Sequence, residues 1–145
     1  LMAGGSGAEW IVAYDSWPRI PGKHLDIACE NLRPWENIWT LTAIANRFFR
    51  EHVPMTTMRT ADHLVEKDHA WCLAQPGEVY VVYLFGGQQT TLELSEGEFT
   101  ASWFNPWKGG DLIPGAALKG PGLQPLGVPP TDSDKDWVLL IQRSK

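Results

Sequence analysis

"AWCLAQPGEVYVVYLF", residues 70–85, decides the fold. Two runs rich in β-formers, AWCLAQ (70–75) and EVYVVYLF (78–85), flank Gln75-Pro76-Gly77-Glu78. Proline presets the second position of a type II turn, and glycine alone takes the positive φ of the third without strain. The spacing predicts an antiparallel hairpin. Downstream the two-residue period continues. Gly86-Gly87 turns the chain, and QTTLEL (89–94) puts Leu92 and Leu94 on one face. Ser95-Glu96-Gly97 reads as another turn, and EFTASWF (98–104) alternates through Phe99, Ala101 and Trp103. Asn105-Pro106 with Gly109-Gly110 turns once more. The Pro- and Gly-rich stretch 111–130 reads as a crossing between sheets, and DWVLLIQ (136–142) as a central closing strand. Short strands separated by turns at this spacing predict an antiparallel β-sandwich over residues 67–145.

Upstream the period changes. WENIWTLTAIANRFFREH (35–52) places Ile38, Leu41, Ile44, Ala45 and Phe48 at helical spacing. Arg47, Arg50 and His52 suit the C-terminal end of the dipole, and Pro54 stops the helix. AEWIVAY (8–14) fits a short buried strand preceded by glycines, and residues 15–31 form a long loop, with Asn31 a candidate helix cap. One strand and one helix bury too little apolar surface to offset chain entropy. Residues 1–66 therefore read as the last βα unit of a larger (β/α)8 barrel, whose strand-to-helix loops face the active site. The chain opens at Leu1 inside such a strand, which is the expectation for a piece of a longer polypeptide. The broad helix face requires a cover: the rest of a barrel, the sandwich, or a second copy in a homodimer through residues 36–52.

Composition narrows the partners. The 145 residues are 43% hydrophobic and carry a net charge of -5. No basic stripe is present, so nucleic acid is not an expected partner. No apolar run reaches the ~18 residues of a membrane helix. Neither Cys29 nor Cys72 lies in a zinc-type spacing, so no metal is assigned. The two read either as a disulfide or as two buried thiols, and the usual burial of free cysteine favours thiols.

The ordered segments "MAGGSGAEWIVAY", "HLDIACENLRPWENIW", "AIANRFFRE", "AWCLAQPGEVYVVYL", "GEFTASWFNPWKGG" and "DWVLLI" resemble the C-terminal part of apiosidase-like glycoside hydrolases. Those proteins carry a (β/α)8 barrel followed by a small β-sandwich labelled a "putative collagen-binding domain". The resemblance covers essentially the whole chain. It implies that residues 2–14 are the last barrel strand, 36–52 the last barrel helix, and 70–141 the sandwich. It implies a secreted or periplasmic parent that hydrolyses the O-glycosidic bonds of a polysaccharide, with the sandwich bracing the barrel. The alternative is a non-catalytic module for glycan or collagen. A two-carboxylate mechanism needs a pair about 5–5.5 Å apart for retention. The chain offers no strand-end partner for Glu9, so by itself it is expected to be inactive, with no catalytic residue and no cofactor. The family's turn usually reads WYDPRTG. Here Trp103-Phe104-Asn105-Pro106-Trp107-Lys108-Gly109 stands instead, with Trp107 where Arg is common.

Candidate substrate-binding residues follow. Glu9 is a strand-end carboxylate, to hydrogen-bond a sugar hydroxyl or to pair with a barrel Arg. Trp10, Tyr14 and Trp17 offer flat faces for sugar C–H groups, or core packing under the loop. His24 and Asp26 lie in the same loop, as ligand contacts or a bracing pair. Trp71, Trp103 and Trp137 are expected in the sandwich core. Trp107 sits in a turn with nothing local to bury it, which makes it an ancillary binding candidate or a contact to the barrel. Asp132, Asp134 and Asp136 alternate as a calcium loop does, but without its Gly and Glu, and read as a solvated turn.

Overall fold

The protein is described by a computed structural model over residues 36–66 and 69–144. The hairpin forms at the expected turn. Gly77 has φ 84°, and the Glu78 N–H donates to the Gln75 carbonyl at 3.0 Å. It joins strand β2 (Ala70–Gln75) to β3 (Val79–Leu84). Before it come helix α1 (Glu36–His52) and a two-residue strand, β1 (Arg59–Thr60). After it come β4 (Thr91–Phe104), β5 (Ile113–Pro125) and β6 (Trp137–Arg143). All strands join one six-stranded sheet in the order β1-β2-β3-β6-β4-β5, and every pairing is antiparallel. The closing strand is central, as expected.

Two expectations are corrected. Ser95-Glu96-Gly97 does not end a strand. It is a bulge, a register shift between Leu94 and Gly97 inside one 14-residue β4. Residues 113–125 do not cross between sheets but pair along almost the whole of β4. Their prolines misled the reading, because an edge strand tolerates proline where a central one does not. β5 is that edge, and Pro114, Pro121 and Pro125 offer no N–H to a further strand.

Register explains the two cores. The rows Cys72–Val82–Leu139–Trp103 and Ala74–Tyr80–Ile141–Ala101 lie on one face. Leu73–Val81–Leu140 and Trp71–Tyr83–Val138–Phe104 lie on the other. The first face is closed by the opposite half of the β4–β5 hairpin. Leu92, Leu94, Leu118 and Leu126 join its cluster together with Ala61 and Val65. The sheet nearly meets itself there, where Val65 bridges Leu92 and the Glu66 N–H donates to the Thr91 carbonyl at 3.3 Å. A single curled sheet thus covers its own apolar face in a sandwich-like manner. Across it, Trp103 and Trp137 meet edge-to-face at 6.2 Å.

The second face is covered by α1 and the segment after it. Phe48, Val53 and Met58 bury against Leu73, Val81, Val138, Leu140 and Phe104. The Phe48 ring stacks on Phe104 at 4.5 Å. Of the covers open to the helix face, the structure thus shows the sheet for Ile44, Phe48 and Phe49. A barrel unit is not shown, since residues 1–35 lie outside those described.

The curl is pinned at the bulge. The buried Tyr80 hydroxyl accepts the N–H of Gly77 at 2.8 Å and of Ser95 at 3.2 Å, and donates to Ser95 Oγ at 3.0 Å. Arg143 adds a second tie. Its Nε donates to the Gly77 carbonyl and its Nη2 to the Glu96 carbonyl, with the guanidinium 5.4 Å over the Phe99 ring. Tyr80→Phe strips two backbone donors of their acceptor. It is expected to lower unfolding free energy by about 1–3 kcal/mol in urea titration, with secondary structure unchanged by circular dichroism.

Candidate functional site

The loops after β3 and β4 and the loop before β6 gather at one end of the sheet. The one before β6 organises the others through its carboxylates. Asp136 accepts the Tyr83 hydroxyl at 2.6 Å and the Gly86 N–H at 2.8 Å. Asp132 pairs with Lys108 at 2.7 Å, and its carbonyl accepts the Lys135 N–H and the Trp137 indole N–H. The Lys108 contact holds the Asp132 carboxyl below the ordinary range. At Gly87 a side chain would run into the Ser133 carbonyl, so only glycine lets the β3 loop seat against this one. The three aspartates each take a separate partner, Asp134 with Lys135 at 3.4 Å. They converge on no common point, and no metal-type cluster occurs among the described residues.

The β4 loop is locked just as firmly. The side-chain oxygen of buried Asn105 accepts the N–H groups of Trp107 and Lys108, both at 2.9 Å, and its carbonyl accepts that of Gly109 at 2.9 Å. This Asx-type turn holds Trp107 out, 54% exposed. The sequence singled out Trp107 for lacking a local burial pattern, and the structure gives it a rigid mount.

Trp71 is a correction. Trp103 and Trp137 are core residues, but Trp71 falls in the opposite register row and stays 40% exposed. It lies beside Tyr83, ring centroids 6.0 Å apart. Burial, then the hydrogen bond to Asp136, pushes the Tyr83 phenol up, so it is no acid–base group near neutrality. Phe85 is exposed as well. Sequence reading missed the Trp71–Tyr83–Asp136 group. The signal was present in strict alternation, which sends Trp71 and Cys72 to opposite faces.

Beside the Trp107 turn, α1 and the loop enclose a shallow cleft of about 320 Å³. Thr40, Ile44 and Arg47 line it from the helix, Lys108 and Gly109 from the loop, with Phe104 between. Cys72 is a free, buried thiol, pushed up to about 12 by burial and then by Asp62. Glu9, Trp10, Tyr14, Trp17, His24, Asp26 and Cys29 lie outside the described residues. Among the rest, exposed aromatic faces and fixed polar groups are equipment for binding, while Asp132, Asp134 and Asp136 are each paired and the Tyr83 phenol is held protonated.

The family model described as "Putative collagen-binding domain of a collagenase" matches residues 53–142. A solved structure named "Glycoside hydrolase" superposes with a TM-score of 0.62 at 13% identity, over 74% of this chain and 26% of that one. A glycoside hydrolase family 5 structure from Bacteroides vulgatus ATCC 8482 superposes with a TM-score of 0.61 at 12% identity, over 74% and 24%. The chain thus spans about a quarter of the length of these structures. No curated protein matches it in sequence.

The Tyr83 site generates a pH prediction. A phenol whose ionisation is raised on folding adds stability that is complete below its free value of 10.0 and is lost as pH climbs past it. Urea midpoints measured from pH about 9 to about 11 are expected to fall more steeply for the native sequence than for Tyr83→Phe.

Proposed function

The chain belongs to the family described as "Putative collagen-binding domain of a collagenase", and from that premise we propose that it is the C-terminal part of a glycoside hydrolase of the apiosidase-like kind. In this reading residues 1–66 supply the last strand, loop and helix of a (β/α)8 barrel, and residues 67–145 the ancillary β domain that braces it. Glu9, Trp10, Tyr14, Trp17, His24 and Asp26 then face a polysaccharide or oligosaccharide, and the catalytic carboxylates belong to earlier strands. The parent is secreted or periplasmic.

One observation carries this reading. Helix α1, just ahead of the family match, is tied to the sheet by the Phe48–Phe104 stack and by Ile44 against Gly109, while Trp39 on its other side stays 38% exposed. A helix with apolar groups on two sides suits a bridge between two bodies. A likeness in fold to glycoside hydrolases of which the matched part is only about a quarter supports the same arrangement. Trp39→Ala is expected to lower the melting temperature of the barrel-bearing polypeptide by about 2–4 °C and to leave that of the 145-residue chain unchanged. Equal effects in both count against bracing.

Trp107 favours a second reading, a module that holds glycan or collagen-like protein. Fixed aromatic rings are common anchors at binding surfaces. Under this reading Trp107→Ala abolishes retention on polysaccharide or collagen with no loss of stability. If the variant only loses stability, bracing is the better account.

A further inference from the structure

The cleft between α1 and the Trp107 turn is lined by cations in a chain that is acidic as a whole. The chain holds 17 acidic residues against 12 Lys and Arg. Yet among the described residues no carboxylate lines this cleft, while Arg47 from the helix and Lys108 from the loop both do. Two separate elements bring like charges to one depression. Each cation has a carboxylate elsewhere, Glu51 at 3.5 Å and Asp132 at 2.7 Å, but the cationic side chains are 58% and 72% exposed. Pairs this wet are weak and exchange readily for a ligand anion.

The remaining lining is amphipathic. Ile44, Ala43 and Phe104 present apolar surface, and Thr40 a hydroxyl. The volume of about 320 Å³ is at the small end of ligand sites. A pyranose ring with an apolar C–H face, hydroxyls and a carboxylate matches this lining. We infer that this cleft binds a uronic acid residue of an acidic polysaccharide, its carboxylate held by Arg47 and Lys108. The inference rests on the glycoside-hydrolase reading above and specifies the class of sugar. An acidic peptide would share the anion but has no use for the hydroxyl and the apolar lining around one ring.

The test titrates the 145-residue chain with tri-galacturonate, with a hyaluronan tetrasaccharide and with neutral maltotriose, following amide NMR shifts. The Gly109 and Gly110 amides and the Arg47 Nε–H are expected to move with at least one uronate ligand. Whichever binds more tightly distinguishes a pectin-like from a glycosaminoglycan-like source. Arg47→Gln and Lys108→Gln, both at exposed positions, are expected to weaken binding about tenfold each. Raising salt from about 50 mM to about 500 mM should weaken it further. The inference is overturned if maltotriose or an oligoglutamate peptide binds as well as the uronates. It is also overturned if the double variant binds like the native chain, or if neither uronate binds. Those failures leave the bracing role intact, because the Trp39 comparison tests it separately.

Discussion

Three adjacent strands, β2, β3 and β6, are apolar on both faces, and that constraint governs the rest of the chain. Val81, Val82, Leu139, Leu140 and Ile141 are all essentially inaccessible to water. Strands of this kind need a cover on each side. The β4–β5 hairpin provides one by bending at its bulge and returning over the core. Helix α1 provides the other through Phe48. Remove either and a wide apolar face opens to solvent.

Much of this was legible in the residues. The Pro76-Gly77 turn, the helix and its stop at Pro54, the buried role of Phe48 and the central place of the last strand follow from local rules of turn geometry and period. What was misread was nonlocal. Ser95-Glu96-Gly97 has the composition of a turn, and only the reach of Tyr80 and Arg143 to its backbone makes it a bulge. The prolines of 113–125 look like breakers until the segment is seen at an edge. The two-residue period that puts Trp103 and Trp137 inside suggests the same for Trp71, but its register beside the buried Cys72 turns it outward. The Asp136–Tyr83 contact joins residues 53 positions apart and leaves no trace in either neighbourhood.

The loop end shows how rigidity is distributed. Asn105 fixes one loop through three acceptor contacts, and Asp136 fixes another through two. Exposed aromatics mounted this way lose little freedom when something settles on them, which lowers the entropic cost of contact. Asp132 and Asp136 act here as structural acceptors, and for that reason they are poor candidates for chemistry.

The proline-bearing edge of β5 has a consequence of another kind. Open sheet margins invite neighbouring molecules to zip onto them, and a gap in the donor row interrupts that templating. Copies packed side by side at high local density would slide past one another rather than nucleate a shared fibrillar ladder.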